Sequence, residues 1–270
     1  MAAMSNDDVR ARFLRYLDEL TAVARSRRDV VGLVAFGSTA ERGRVDEWSD
    51  HDFAWLTQPG AENRYRHDLS WLPDHDHIAL SVVEHHGGVK VVYDDGRRLE
   101  FGIADVDSFA TWAGAPAEVL VGDDEVHRAT AGVVARRPEG EHDAVRELGL
   151  MLTQIHSGVG RARRGETLSG SGLVRFEAVN HLARALAARL SGDPARLDPL
   201  DPRRRFDLVY PELGLRLEEA CRLPTEDAAR ALIDLAEERL APGWEAFPHA
   251  GVAAVRAKLG WTQPNPGPRE

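Results

Sequence analysis

Two aspartates one residue apart, Asp50 and Asp52 in "SDHDF", follow a Gly37-Ser38 pair that closes the apolar run "VVGLVAF". Alternate side chains of a strand share a face. Asp50, Asp52 and Ala54 therefore point one way, and His51, Phe53 and Trp55 the other. Like charges on one face repel, and a divalent cation is the usual partner that offsets them. A third acid, Glu100 in "RRLEFGIADV", is in phase with Gly102 and Ala104 and opposite in phase to Leu99, Phe101 and Ile103. Its two small neighbours leave room for a ligand. If the two strands are adjacent, Asp50, Asp52 and Glu100 make a cluster of hard oxygen donors. Such a set suits Mg²⁺, which binds through a few carboxylates plus substrate phosphates. Asp105 and Asp107 are alternatives for the third acid.

Two such ions ~4 Å apart stabilise both the attacking and the leaving oxygen of an in-line displacement. Gly37 lets the backbone approach phosphates closely, and the hydroxyl and N–H of Ser38 can donate to them. Metal, phosphate clamp and positioned nucleophile are the parts phosphoryl-type transfer needs. Arg42 and Arg44 follow the turn and either contact a triphosphate or are ordinary loop charges. A lone D-x-D most often marks a solvated loop. This one lies in an apolar strand after a strand-Gly-Ser turn, with a third carboxylate in phase on a later strand.

These residues need elements to hold them. Ser5, Asp7 and Asp8 read as a helix start, with a capping hydroxyl and acids in the first turn. Val9, Phe13, Tyr16, Leu17 and Leu20 then recur at helical spacing, so the first helix runs to about Arg27. "VVGLVAF" is a buried strand, residues 39–43 a short helix or turn, and "SDHDFAWL" the second strand. "HIALSVVE", "VKVVY" and "RRLEFGIADV" complete an antiparallel set, with Asp94-Asp95-Gly96 a hairpin turn. "RRPEGE" marks a boundary. Beyond it the period is helical: one stripe is Val145, Leu148, Met151, Leu152, Ile155 and Val159, and a second is Val174, Val179, Leu182, Leu186 and Leu190. The loop "RGETLSGSG" separates them. "YPELGLRLEEACRL", "TEDAARALIDLAEERL" and "HAGVAAVRAKLG" fit further helices. The expected layout is α+β: a mixed sheet with helices over residues 1–137, a helical bundle over 138–262, and a flexible tail over 263–270.

Composition excludes several classes. At 43% hydrophobic and 29% charged residues the 270-residue chain can bury a real core and is not disordered. Its apolar runs are too short to span a membrane, and "MAAMSNDDVRARF" lacks a secretory core. The single cysteine, Cys221, allows no internal disulfide and fits a cytoplasmic location. Lys90 and Lys258 are the only lysines, so arginine carries nearly all positive charge. A net charge of −10 disfavours a large nucleic-acid partner and favours a small cationic one.

Other groups read more plainly. His75, His77, His85 and His86 fall around turns without cysteine and read as solvated loops, since zinc needs a tighter pattern. His51 should point into the core. "GSG" at 170–172 has no strand before it and is not a phosphate loop. The chain also lacks G-x-x-x-x-G-K-S/T.

The stretch "FGSTAERGRVDEWSDHDF", with the later "RRLEFGIAD", resembles the G-S-…-D-x-D signature of the nucleotidyltransferase superfamily, the polymerase-β-like fold. The acidic strands followed by a helical half look most like the lincosamide and aminoglycoside adenylyltransferases. The motif resemblance covers residues 30–107; beyond that it is architectural. It implies that Asp50, Asp52 and Glu100 hold two Mg²⁺ ions and that Gly37 and Ser38 grip a nucleoside triphosphate, ATP first. One departure is a glutamate where many relatives have a third aspartate. The resemblance also implies that the helical half closes over the nucleotide, with Glu166 as a base that deprotonates the acceptor. The expected reaction moves AMP onto a hydroxyl of a small molecule such as an aminoglycoside or lincosamide. A protein acceptor, as in antitoxin-like relatives, and a non-catalytic nucleotide-binding role are the alternatives. Nucleic acid and membrane are not expected partners, and a homodimer is left open.

Overall fold

The computed structural model describes residues 5–114, 116–136, 143–193, 196–198 and 200–261. The expected boundary at 137/138, most of "RRPEGE" and the tail 263–270 lie outside the described residues. The chain divides into two compact units, Met1–Pro138 and Glu139–Glu270.

In the first unit, α1 (Asn6–Ser26) begins where the Ser5 hydroxyl accepts the Asp8 N–H, and Asp7 and Asp8 complement the positive end of the helix. It leads into β1 (Val30–Phe36), a single helical turn α2 (Gly37–Ala40), a 3₁₀ turn (Arg42–Arg44) and β2 (His51–Thr57). A short α3 (Glu62–His67) precedes β3 (Ile78–Val83), β4 (Val89–Tyr93) and β5 (Arg98–Ala104). Then come α4 (Val106–Phe109), β6 (Ala117–Val121) and α5 (Asp124–Ala135). The six strands form one mixed sheet in the order β3-β4-β5-β2-β1-β6. As expected, β3, β4 and β5 are antiparallel neighbours. Against β2, however, β5 runs parallel, with Asp52 opposite Glu100. The strand β6, which pairs with β1, was not anticipated.

Both faces of the sheet are covered at its inner strands β5, β2 and β1, while the edge strand β3 is exposed. Tyr16, Leu20 and Ala24 of α1 pack with Leu33, Phe53, Trp55, Trp71, Leu99, Phe101 and Ile103 on one face. Phe53 and Phe101 stack there with centroids 4.7 Å apart. The other face was expected to stay open beside the acids, and this needs correction. Ala54, Leu56 and Ala104 are buried there under Phe109, Val126 and Val133 of α4 and α5. Nor do Gly102 and Ala104 leave room for a ligand. A Cβ on Gly102 would lie 2.2 Å from the Trp112 ring, so the indole already fills that space. The starts of β2 and β5, where the acids stand, escape this cover, as do β3 and that face of β4.

The second unit is helical: α6 (Ala144–Arg163), α7 (Thr167–Gly172) running through a π-helical turn (Leu173–Ala178) into α8 (Val179–Arg189), then α9 (Phe206–Val209), α10 (Pro211–Arg222), α11 (Thr225–Leu240) and α12 (His249–Leu259). Leu148, Met151, Leu152, Ile155, Val159, Val174, Val179, Leu182 and Leu186 are buried together. Val145 is exposed instead. The stretch expected as a loop is mostly helix. Its glycines serve a close crossing: a Cβ on Gly170 would lie 2.5 Å from the Gly158 carbonyl oxygen. A buried carboxylate, Glu147, interrupts the apolar core and is hydrogen-bonded to Nδ1 of His181 at 2.7 Å. Among the described residues no helix is long and apolar enough to cross a membrane.

The Trp112 contact yields a stability prediction. Gly102→Ala should cost about 1–3 kcal/mol through overpacking, read as a lower urea midpoint. In a Trp112→Ala background the same substitution should cost almost nothing.

Candidate functional site

The site starts from the end of β1. Gly37 has φ +55°, a left-handed conformation that side chains other than glycine's disfavour. A Cβ there would also lie 3.3 Å from Oδ2 of Asp52. The chain can therefore turn sharply and pass close to that carboxylate. Two residues on, the fully buried Thr39 ties this turn to β2. Its hydroxyl accepts the Asp52 N–H at 2.9 Å and donates to the Asp50 carbonyl at 3.3 Å. One side chain thus fixes the backbone on both sides of His51. Ser38 sits between them, half-buried.

His51 itself points into the core, as its phase requires. Its ring stacks on Phe13 with centroids 3.7 Å apart, and its Nε2 lies 3.1 Å from the Phe13 carbonyl oxygen. Burial pulls its pKa down to about 4. With His51, Phe53 and Trp55 held on one face, Asp52 must stand on the other, and the parallel register sets Glu100 beside it.

Oxygens of Asp50, Asp52 and Glu100 all lie within 4.8 Å of one another, the one group of three or more acid, histidine or cysteine ligands among the described residues that could hold a metal ion. The donor chemistry fits a hard divalent cation: carboxylate oxygens only, on two neighbouring strands, with the Cβ-less Gly37 beside them. Of the alternatives for the third acid, Asp105 caps α4 by accepting the Ser108 N–H, and Asp107 is exposed on that helix. Neither joins the cluster.

Two cations that the sequence reading passed over touch the acids. Arg98 donates to Oδ2 of Asp50. Lys90 places Nζ 3.1 Å from Glu84 and 3.5 Å from Glu100. Strand alternation sets Arg98 on the face of Glu100, and the β4–β5 register sets Lys90 opposite Glu100. Both positions could have been read from the hairpin.

The remaining expected residues have other partners. Arg42 donates to Glu118 on β6 at 2.7 Å, and Arg44 pairs with Glu41. Glu166 belongs to the second unit, where it accepts from Arg164 at 3.1 Å. His77 and His86 pair with Asp94 and Glu84 at the surface.

No family model matches the chain, and no curated protein matches it. Among solved structures it is similar to an aminoglycoside 6-adenyltransferase from Bacillus subtilis, at 12% identity over 93% of each chain and a TM-score of 0.30. A likeness that slight carries no activity across, so the chemistry has to come from the residues.

Two outcomes follow for the site scaffold. Thr39→Val should cost about 1–3 kcal/mol in unfolding free energy, because it strands a buried N–H and C=O, while Thr39→Ser should retain most of the stability. For His51, unfolded imidazole takes up a proton near pH 6.5, whereas the folded one waits until about pH 4. Its stabilising contribution is complete above 6.5 and falls away between 6.5 and 4, with a slope of up to ~1.4 kcal/mol per pH unit. Urea unfolding at several pH values should show that slope in the wild type and less of it in His51→Phe.

Proposed function

We propose that the protein is a metal-dependent nucleotidyltransferase of the polymerase-β-like kind, moving a nucleoside monophosphate, AMP from ATP in the first instance, onto a hydroxyl of a small molecule. The observation that carries this reading is the convergence of Asp50, Asp52 and Glu100 beside the Gly37-Ser38 turn. Carboxylates on strands close to a glycine turn are what a metal–triphosphate complex requires, and three like charges brought together favour a cation among them.

Asp50 and Asp52 would hold Mg²⁺, two ions in the full complement, with Glu100 completing the set. When bound, the metal neutralises phosphate charge and lowers the pKa of a coordinated hydroxyl. Gly37 admits the phosphates close to the backbone, and Ser38 offers its hydroxyl and N–H to them. Glu100 is the most exposed of the three acids, so an acceptor hydroxyl can reach its carboxylate and give up its proton there. The hydroxyl oxygen then bonds to the α-phosphorus, the bond from that phosphorus to the bridging oxygen breaks, and pyrophosphate leaves. Arg42 and Arg44 would meet the triphosphate only by leaving Glu118 and Glu41. Glu166 is retained as a candidate base. The acidic surroundings suit a cationic aminoglycoside as acceptor; the sequence resemblance also admits a lincosamide, which would call for more apolar walls.

Pyrophosphate release from ATP and GTP with Mg²⁺, across a panel of both antibiotic classes, tests the reading. Release should depend on one acceptor class and fall roughly a thousandfold or more in D50N/D52N, with the unfolding midpoint preserved. A double variant that keeps its turnover would sink the assignment.

A further inference from the structure

The two cations at the acid cluster are held differently. Lys90 is tethered twice, to Glu84 and to Glu100, so it keeps a partner if Glu100 turns elsewhere. Arg98 has a single ionic partner among the described residues, Asp50. The Arg98 side chain is 59% exposed, whereas that of Asp50 is 17% exposed. A largely solvent-exposed cation therefore sits on a mostly buried carboxylate. It covers Oδ2, one of the oxygens a metal ion would need.

A guanidinium does not lose its proton in a protein, so Arg98 can vacate that oxygen only by moving. The guanidinium can swing out into solvent, and the largely buried Asp50 that it leaves behind would need another cation, which a metal ion supplies. The displaced group would remain at the edge of the cluster, on the same face of β5 as Glu100. There its planar fork of donors, weakly hydrated and always charged, matches phosphate oxygens two at a time.

We propose that Arg98 is a resident counter-ion of Asp50 which a divalent cation displaces, and that the released guanidinium then pairs with the phosphates of the incoming nucleotide. The proposal rests on the metal–nucleotide reading of the site. It makes two opposite demands on one side chain: without nucleotide Arg98 competes with the metal, and with nucleotide it helps binding. A residue that merely supported β5 would weaken both.

The test uses the full chain, with Mn²⁺ alone as the first probe, titrated calorimetrically into wild type, R98M and D50N. R98M should bind Mn²⁺ roughly two- to fivefold more tightly than wild type, the removal of an exposed competing pair, and D50N more weakly. The second probe is ATP, then AMP and adenosine, with Mg²⁺ and no acceptor. R98M should lose about tenfold or more in affinity for ATP, less for AMP, and nothing for adenosine. R98K keeps the charge without the fork, so it should bind Mn²⁺ like the wild type and lose part of the ATP affinity; it also serves if R98M fails to fold. Mn²⁺ binding that is present but no tighter in R98M would overturn the counter-ion role alone. An equal loss for ATP and adenosine would overturn the phosphate role. No Mn²⁺ binding to wild type or R98M would overturn the metal reading and this proposal with it.

Discussion

The parallel pairing of β2 with β5 puts Asp52 directly opposite Glu100, with Asp50 one step before the strand. Two unit charges 4 Å apart near a protein surface repel by about 4 kcal/mol, and here there are three of them. The surroundings answer that repulsion only partly. Arg98 and Lys90 neutralise it from the solvent side, where ion pairs are weak. A buried, fully hydrogen-bonded pair would have closed the account permanently. The protein instead keeps a concentration of negative charge that Arg98 and Lys90 meet from the solvent side, where a stronger cation can compete with them.

The acids can be kept this close because nothing beneath them yields. Each stands at the beginning of an inner strand, with large side chains of the opposite phase locked into the core: His51 on Phe13, Phe53 on Phe101. Thr39 then joins the turn after β1 to the backbone of Asp50 and Asp52, so the glycine turn and the carboxylates move as one piece. Strands hold a constellation more rigidly than loops do. On β2 and β5 the cover of α4, α5 and Trp112 leaves that face accessible at the strand starts. The same cover explains why small residues at Gly102 and Ala104 do not widen the site.

The candidate acids were legible in the sequence because a strand has a period of two, and the buried partners of opposite phase reveal the period. Gly37 was legible as a turn residue for the same local reason. What could not be read there is pairing between distant segments. Whether β5 lies parallel or antiparallel to β2 depends on where the β3–β4 hairpin is inserted. The strand "AEVLV" is as long as "VKVVY", but it has no hairpin partner next to it in sequence and pairs only with the distant β1. Volume is equally hidden: Gly102 looks like space until Trp112 is placed on it, and the glycines near 170 look like a loop until Gly158 is found against them. Thr39 falls between these cases, since its spacing from Gly37 is local but its partners are not.

The net charge of −10 opposes a triphosphate ligand, and the distance over which charge acts decides how much that matters. Exposed charges farther apart than about 8 Å are largely screened at physiological ionic strength. The bulk acidity of the chain therefore bears on encounter more than on the bound state. Within that radius of Glu100 stand the three acids of the cluster, Glu84 on the far side of Lys90, and the cations Arg98 and Lys90. Four carboxylates and two cations leave a surplus of two negative charges, which a single divalent ion would cancel. On the proposed reading, the repulsion that an anionic nucleotide meets at the cluster is therefore removed when the metal is present, so metal and nucleotide favour each other.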